Sequence, residues 1–268
     1  MNIKILVATH KKYQMPEGKI YIPLHVGAEG KEALGYTKDN SGDNISKKND
    51  SFCELSGLYW GWKNLAADYL GLVHYRRYFT RKKFFMNYGK DKMKLVLSDK
   101  EAGQLCEKYD VIIPRKRQYY IESLYSHYKH THYACHLDET MLIIQEKYPE
   151  YVEMYKRVLK QTNGYMFNMF IMKKNLSDAY CEWLFDILFE LEKRINMPEL
   201  SKFQGRFYGR VSEILFNAWL LYQMETSNIV KEKVCEIPCI HIERINWIKK
   251  GSAFLEAKFL NRKYEGSF

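Results

Sequence analysis

The sequence predicts an α/β protein with a largely parallel or mixed central sheet. Short apolar runs of the kind that form buried strands alternate with longer segments whose apolar residues recur at helical spacing. Such alternation usually produces parallel strand pairs joined by crossover helices. The length of 268 residues and the hydrophobic content of 46% are sufficient for one substantial core. We therefore expect a single domain with helices flanking the sheet.

The first part of the chain predicts two strands separated by a long loop and a helix. An apolar run at 3–10 ends in polar residues, which is typical of a buried strand. Residues 11–52 are rich in Lys, Gly, Asp and Asn, and we expect an irregular loop with a short apolar patch at 20–24. A helix over about 52–69 follows, because apolar residues recur there at helical spacing. The apolar run at 69–73 is a second buried strand.

The rest of the chain continues this alternation. Ser98 is a suitable N-cap for a helix over 99–108, since its hydroxyl can accept a hydrogen bond from a free amide of the first turn. The further elements expected are a strand at 109–114, a helical segment at 118–160, a strand at 165–172, a helix at about 176–195, a loop at 196–210, a helix at about 211–224 and an edge strand at 236–242.

Two adjacent arginines follow the second strand directly, in the stretch His74-Tyr75-Arg76-Arg77-Tyr78-Phe79. The strand would deliver them to the C-terminal rim of the sheet, where α/β enzymes bind ligands. Paired guanidinium groups flanked by aromatic rings suit a doubly charged anion such as a diphosphate. A solvated basic turn with its aromatic pair in the core is the alternative, because arginine is normally exposed.

The composition predicts an anionic partner other than nucleic acid. A formal net charge of +10 attracts polyanions. The Lys and Arg residues are scattered among 32 acidic ones, without a basic arm, a basic helix or a zinc-finger spacing, so nucleic acid is not expected. The 22 Tyr residues suit stacking on sugars and nucleobases, although a Tyr-rich surface is an equally ordinary explanation.

The cysteines and the absence of long apolar runs indicate a cytoplasmic protein. None of the six cysteines forms a CxxC pair, and reduced thiols are the simplest interpretation. The apolar start of the chain is too short for a signal peptide, and no run approaches the roughly 20 apolar residues of a membrane span. Basic segments at 80–94 and 249–263 are candidates for peripheral contact with the inner membrane face, or else solvated surfaces.

Several common catalytic motifs are missing from the sequence. It contains no Walker A loop, no GxGxxG after the first strand, no HExxH and no GxSxG, which argues against the enzyme classes that depend on them. Histidines at 127, 130, 132 and 136 raise the hypothesis of a metal site. No carboxylate ligand is obviously paired with them, so histidines at the surface or the edge of the core are the preferred interpretation.

Four blocks of sequence, in order along nearly the whole chain, resemble one bacterial glycosyltransferase family. They are Cys53–Asn64 with the motif CELSGLYWGWKN, Tyr69–Phe79 with YLGLVHYRRYF, Asn168–Met172 with Tyr180–Phe185, and Gln204–Arg206 with Ser212–Leu220. The family is common in gene clusters for capsule, exopolysaccharide and O-antigen synthesis, includes galactosyl- and galactofuranosyltransferases, and was long catalogued only as a domain of unknown function. The resemblance implies a GT-A-like single domain of residues 1–268 that uses a nucleotide-sugar donor. We expect a donor-binding half at about 1–115, an acceptor and catalytic half at about 116–245, and a basic C-terminal tail at 246–268.

The resemblance gives the arginine pair a specific role. A GT-A enzyme usually places Asp-x-Asp after a central strand, where the two carboxylates hold a divalent metal on the donor diphosphate. Here that strand end carries His74, Tyr75, Arg76 and Arg77, with no Asp. Two protein cations could stabilise the departing diphosphate directly. We therefore expect metal-independent activity, with His74 and Tyr75 beside the donor and no cofactor apart from the sugar nucleotide.

Further donor contacts are expected on three segments. Thr9 and His10, at the end of the first strand, would meet the nucleotide base, while Asp43, Asn44 and Ser46 would bind the uridine ribose or base edge. The helix that follows contributes Glu54 and Lys63 as candidates. Ordinary turn and cap chemistry is the alternative for the loop residues.

Glu213 is the candidate general base. Inverting transfer needs a carboxylate to take the proton of the acceptor hydroxyl, and GT-A enzymes commonly place it at the start of a late helix. We expect Glu213 in that place, with Arg206 and Arg210 contacting phosphate or orienting it, and with Asn168 and Met169 at the acceptor. The alternative is a first-turn glutamate stabilised by the helix dipole.

Three functional hypotheses follow. The first is a glycosyltransferase that moves a hexosyl group, galactofuranose or galactose, from a UDP-sugar to a saccharide or lipid-linked saccharide, by inversion and without metal. The second is a noncatalytic module that binds a saccharide or an anion in a basic aromatic cleft. The third, a nucleotidyl- or phosphotransferase, lacks the expected metal carboxylates and phosphate loop.

Overall fold

A nine-stranded sheet forms the centre of the computed structural model, which describes residues 1–82, 91–195 and 200–243 and the single positions 256, 258 and 266. The strands are β1 (Ile3–Thr9), β2 (Tyr21–His25), β3 (Thr37–Lys38), β4 (Tyr69–His74), β5 (Arg77–Phe79), β6 (Val111–Pro114), β9 (Phe170–Lys173), β10 (Val234–Ile237) and β11 (Cys239–His241), while β7 (Arg117–Gln118) and β8 (Asn163–Gly164) form a separate pair. The helices in the described ranges are α1 (Asn49–Phe52), α2 (Leu55–Asn64), α3 (Asp99–Lys108), α4 (Leu124–Thr131), α5 (Cys135–Lys147), α6 (Val152–Lys160), α7 (Lys174–Arg194) and α8 (Phe207–Glu225).

The sheet is mixed and mostly parallel, as predicted. Its main path runs in the order β10-β6-β9-β4-β1-β2-β3, with β5 on β4 and β11 on β5. The β1–β2, β1–β4, β2–β3 and β6–β10 pairs are parallel. Strand β9, from the expected acceptor half, runs antiparallel between β4 and β6 of the expected donor half, so both halves contribute to one sheet.

The two faces of the sheet bury different cores. On one face, alternate β1 residues such as Leu6 pack in a cluster with helices α2 and α4 to α8. On the other face, Ile5 and Val7 pack in a cluster with α3 and with residues of β5 and β11. This alternation is what a strand buried on both sides requires. The predicted helix at 99–108 has the predicted cap, because the Ser98 hydroxyl accepts from the Glu101 amide.

The segment at 11–52 is more ordered than the sequence predicted. It contributes β2, a full parallel neighbour of β1, in place of an isolated apolar patch. A buried carboxylate, Asp39, then fixes the following loop: it accepts from the amides of Gly27 and Ala28 and from the hydroxyls of Ser46 and Ser56. The sequence showed Asp39 as one more polar loop residue, because its partners are brought together only by the fold.

Several element boundaries also differ from the prediction. The helix expected over 52–69 is broken at Cys53, whose φ of 55° ends α1 before α2 begins. The helical segment at 118–160 is divided into α4, α5 and α6. The strand expected at 165–172 begins only at Phe170, because Phe167 and Asn168 have φ values of 84° and 49°. Pro238 separates β10 from β11 within the expected edge strand.

Two predictions fall wholly or partly outside the described residues. Residues 83–90 of the basic segment 80–94 lie outside the described residues. The tail 246–268 also lies outside them, apart from positions 256, 258 and 266. Across the described ranges, no helix is long and apolar enough to cross a membrane.

Candidate active site

Two adjoining cavities open at the C-terminal end of β4. The β1 cavity, with a volume of about 570 Å³, extends to the end of β1. The Glu213 cavity, with a volume of about 340 Å³, extends to α4 and α8. Both volumes are typical of small-molecule sites. The cavities form one continuous cleft, because they share the lining residues Cys53, Glu54, His74, Arg77, Phe203 and Arg206.

A tight turn between β4 and β5 brings the predicted basic stretch to this cleft. His74 pairs with Arg77 across the two antiparallel strands, so Tyr75 and Arg76 form the turn. His74 and Arg77 line both cavities, while Tyr75 and Arg76 line the β1 cavity. The four side chains therefore lie together at the strand end, as the sequence predicted.

The two arginines have different surroundings. Arg76 is exposed, and its guanidinium forms an ion pair with Glu243 at 3.0 Å. Arg77 lies 3.7 Å from the centre of the Phe167 ring, and its Nε donates to Nδ1 of His241 at 3.4 Å. Burial lowers the pKa of Arg77, although it stays protonated at neutral pH. Arg77 is therefore the cation of the pair that its neighbours hold in place, and Arg76 is the one exposed to solvent.

His74 is a neutral imidazole with a defined tautomer. Its Nε2 lies 2.6 Å from the carbonyl oxygen of Phe167. A carbonyl only accepts, so Nε2 carries the proton and Nδ1 is left as an acceptor. Burial lowers the pKa of His74, because it disfavours the charged imidazolium form.

Glu213 is half-buried and lies on the wall of the Glu213 cavity. Its Oε1 accepts from the Phe167 amide at 2.8 Å. Burial, with a smaller contribution from Glu54, raises the pKa of Glu213 to about 7. The predicted position at a helix N-terminus is wrong: α8 begins at Phe207, so Glu213 lies in its second turn, beyond the reach of the helix dipole. Its pKa therefore depends on burial and on its neighbours.

Asn168 positions Glu54 from behind the cleft. Its Nδ2 donates to Glu54 Oε1 at 2.8 Å and to the Gly209 carbonyl at 2.7 Å, and its Oδ1 accepts from the Ser212 hydroxyl. Asn168 is buried with all these groups satisfied, and Met169 is buried in the second core. Neither residue lines the β1 cavity or the Glu213 cavity. Met166 and Phe167, just before them, do line the Glu213 cavity.

The arginines before Glu213 lie on different parts of the cleft. Arg206 lines both cavities, and its Nε donates to the Sγ of Cys53 at 3.1 Å. Burial raises the pKa of Cys53 to about 11, so the thiol is protonated at neutral pH. Arg210 lines only the Glu213 cavity, where its Nη2 donates to the Phe203 carbonyl at 2.9 Å.

Thr9 and His10 line the β1 cavity at the end of β1, as predicted. The Thr9 hydroxyl donates to the Lys11 carbonyl at 2.7 Å, which fixes the chain as it leaves the strand. His10 lies edge-on to the Tyr75 ring at 5.4 Å. Burial and nearby cations, Lys11 first among them, lower the pKa of His10. The surroundings therefore favour an anion.

Four predicted donor residues, Asp43, Asn44, Ser46 and Lys63, do not line either cavity. Asp43 accepts from the Tyr59 hydroxyl, Asn44 bridges its own turn, and Ser46 donates to the buried loop carboxylate. Lys63 is exposed and lies over the ring of the neighbouring tryptophan at 3.6 Å. In this structure, the observed contacts of these residues fix the loop and the helix surface.

The histidine cluster has partners other than a metal. His127 and His130 both bond to the buried carboxylate of Glu122, while His132 bonds to a glutamine and His136 to a tyrosine. In the described part of the chain, no group of three or more metal-binding side chains is close enough to hold an ion. The strand end itself does not fit the divalent metal of GT-A enzymes, because it carries arginines where carboxylate ligands would be needed.

One wall of the Glu213 cavity was not assigned from the sequence. It is built by Arg117, Tyr119, His127, Tyr128 and His132, on β7 and α4 and in the segments beside them. The crowding of Tyr and His between 119 and 136 was a visible signal. From the sequence it raised a metal site as a hypothesis, with histidines at the surface or the edge of the core preferred, since spacing alone does not say which rings face a cavity.

Comparison with known proteins identifies the family. Residues 4–224 match the family model of a domain of unknown function, DUF4422. The chain belongs to this family. It is also similar to the apo structure of the bifunctional glycosyltransferase WbbM, with a TM-score of 0.84 and 30% sequence identity. That match covers 91% of this chain and 46% of WbbM, so this chain spans less than half the length of that enzyme. No curated protein matches the chain.

These comparisons confirm the fold class. The mixed, mostly parallel sheet flanked by helices is the GT-A-like architecture expected from the sequence. The expected resemblance to a glycosyltransferase family agrees with the DUF4422 match and with the similarity to WbbM.

Proposed function

We propose that this protein transfers a hexosyl group from a UDP-sugar to a saccharide or lipid-linked saccharide during synthesis of a bacterial surface polysaccharide. One observation carries the proposal: Glu213, a half-buried glutamate whose surroundings raise its pKa to about 7, lines the same cavity as the half-buried cation Arg77. A base and a cation in one cleft are what displacement of a diphosphate by a hydroxyl requires. Galactofuranose and galactose are the preferred donor sugars, on the resemblance of the sequence blocks.

The reaction is a single displacement with inversion. Ionised Glu213 takes the proton of the acceptor hydroxyl while the acceptor oxygen forms a bond to the anomeric carbon. The bond from that carbon to the diphosphate oxygen breaks at the same time, and its electron pair leaves with UDP. A pKa near 7 keeps a large fraction of Glu213 ionised at neutral pH while making it a stronger base than an exposed glutamate.

The β1 cavity is the proposed donor site. It is lined by five cationic residues and two carboxylates: Lys31, Arg76, Arg77, Lys202 and Arg206, with Asp50 and Glu54. The excess of positive charge suits the diphosphate, and Thr9, His10 and Tyr75 line the part available to the nucleoside. Asp43, Asn44, Ser46 and Lys63 would reach the donor only after a change in the loop.

Metal independence is part of the proposal. The arginines at the strand end would repel a divalent cation and can themselves neutralise the charge that develops on the diphosphate. The test is turnover in EDTA. Unchanged UDP release is expected, and a loss of turnover that is restored by Mn²⁺ or Mg²⁺ would show that a metal takes part.

The proposed function as a whole is tested by UDP release. The purified chain is incubated with UDP-galactofuranose, UDP-galactose and UDP-glucose, without acceptor and then with saccharide acceptors. Slow release of UDP that is accelerated by an acceptor supports a transferase. Binding of a UDP-sugar with no release under either condition would identify the noncatalytic saccharide- or anion-binding module instead.

A cytoplasmic site of action, with peripheral contact at the inner membrane face, completes the proposal. No disulfide joins any of the six cysteines, which suits a reducing compartment. The net charge of +10 suits an anionic membrane surface.

A further inference from the structure

Two arginines of the Glu213 cavity lie outside the proposed donor site. Arg117 and Arg210 line the Glu213 cavity and not the β1 cavity. Neither is within ion-pair distance of a carboxylate in the described residues, whereas Arg76, Arg157 and Arg194 each pair with a glutamate. Among the described residues, these two cations therefore have no carboxylate within ion-pair distance.

Arg210 is the more confined of the two. Its guanidinium lies 4.2 Å from the centre of the Phe203 ring, and one amino group donates to the Phe203 carbonyl. The other amino nitrogen, Nη1, is buried and has no hydrogen-bond partner among the described residues. A buried N–H group without a partner is costly, and most so when it is charged. An anion in the cavity would stabilise this charge at short range.

Arg117 lies in the β7–β8 strand pair, and the segment that follows this pair is linked by hydrogen bonds to α8, the helix of the proposed base. It pairs with Gly164 in the β7–β8 ladder, and its guanidinium lies 4.8 Å from the centre of the Tyr119 ring. The side chain of Asn217 bonds to both the amide and the carbonyl of Tyr165 and also to the Glu213 carbonyl. These bonds tie the segment that follows β8 to α8, the helix that carries Glu213.

The donor does not account for these two cations. The β1 cavity already contains more cations than carboxylates, which is enough for a diphosphate. A group that reaches Glu213 to give up a proton must lie in the Glu213 cavity, and in a transferase that group is the acceptor. The positive charges of Arg117 and Arg210, which the donor does not need, are therefore available to the acceptor in the Glu213 cavity.

We propose that Arg117 and Arg210 form an anion subsite that binds a phosphate or carboxylate group of the acceptor saccharide. The proposal rests on the proposed function, because it takes Glu213 to be the base that meets the acceptor. The acceptor would then carry an oxyanion close to the hydroxyl that is glycosylated, a property that cannot be inferred from the fold alone. Planar guanidinium groups suit both kinds of oxyanion.

The test measures binding of charged and uncharged sugars with the donor site filled. Titration calorimetry on the full chain, with UDP at saturation, gives dissociation constants for glucose, glucose 1-phosphate, glucose 6-phosphate and glucuronate. We expect at least one charged sugar to bind about tenfold more tightly than glucose, the effect of one or two charge-assisted hydrogen bonds. A preference for the phosphates or for glucuronate tells the two oxyanions apart.

Variants assign the preference to the subsite. Arg117→Gln and Arg210→Gln should each reduce it to about twofold or less. Arg157→Gln, which removes an exposed ion pair with Glu225, should leave it unchanged. Thermal unfolding checks that each variant is folded, and if Arg210→Gln is not, the half-buried Arg117 carries the test.

Two results would overturn the subsite. One is equal or undetectable binding of all four sugars to a wild-type protein that binds UDP. The other is a preference that persists in both arginine variants. Failure of the wild-type protein to bind UDP, or to release it from any UDP-sugar, would instead count against the proposed function.

Discussion

Glu213 gives the proposed reaction a characteristic dependence on pH. The base works only when ionised, and its pKa is raised to about 7 by burial. As the pH falls below about 7, kcat/KM should therefore fall by about tenfold per unit, and above that value it should level off. Initial rates of UDP release between about pH 5.5 and 8.5 measure this profile.

Replacing the same residue should remove both the activity and the profile. Glu213→Gln keeps the shape of the side chain and should lower kcat by about 10²- to 10⁴-fold. Glu225→Gln is the matched control on the same helix. Glu225 is the last residue of α8, and it pairs with the exposed Arg157. Turnover of Glu213→Gln within a few-fold of wild type would remove the base assignment.

Asn168 makes a separate prediction, about stability. Asn168→Ala removes one partner each from the Gly209 carbonyl and the Ser212 hydroxyl, which still bond to each other, and it frees Glu54. We expect the free energy of unfolding to fall by about 1–3 kcal/mol. Urea denaturation measures it, with Asn228→Ala, which removes an exposed hydrogen bond, as the control. Equal effects of the two substitutions would show that Asn168 does not hold the site together.

The sequence identified several cleft residues but not how they act. Arg77 and Glu213 were found because a strand end and a late helix are recurrent places for such groups. Asn168 was expected at the acceptor, and the structure places it behind Glu54 instead. Its three hydrogen bonds depend on two consecutive residues with positive φ, Phe167 and Asn168. No local pattern predicts that conformation for a phenylalanine, because the surrounding fold imposes it.

The β4–β5 hairpin predicts unequal effects of its two arginines. Arg77 is half-buried and lines both cavities, so Arg77→Gln should lower kcat by about 10²- to 10³-fold through loss of charge stabilisation at the diphosphate. Arg76 is exposed and already paired with Glu243, so Arg76→Gln should change kcat/KM only a few-fold. Steady-state kinetics with the preferred UDP-sugar compare them. Equal losses would contradict the distinction between the held and the solvated cation.

Helix α2 shows which elements the sequence could and could not predict. Its existence followed from helical spacing, but the break at Cys53 did not, because a positive φ at cysteine has no sequence signal. Strand β2 was missed for a related reason. Its apolar run is short and contains Pro23, and pairing with β1 is what makes it a strand. Long elements with their own periodicity were predictable, whereas those defined by their neighbours were not.

The close approach of α2 to the sheet makes a prediction about glycine. A Cβ at Gly61 would clash with the side chain of Leu6, which is fully buried and cannot move away. Gly61→Ala should therefore destabilise the protein by about 1–3 kcal/mol. Gly103→Ala, in α3 with open space around it, should instead stabilise it by about 0.5–1 kcal/mol, since alanine is the better helix former. Thermal unfolding of both variants measures the contrast, and a shift of the same sign in both would contradict the close packing of α2 on β1.

At the scale of the whole molecule, the net charge of +10 and the cations around the β1 cavity should both attract the diphosphate of the proposed UDP-sugar donor. Attraction between exposed charges is screened by salt, so UDP binding should weaken by about tenfold between about 50 and 500 mM NaCl. Uridine has the same base and ribose but no diphosphate, and its weaker binding should change less than about twofold. Titration calorimetry at a series of salt concentrations separates the two ligands. If UDP and uridine lose affinity in parallel, the diphosphate does not meet the arginines, and the donor site would have to be moved away from the end of β4.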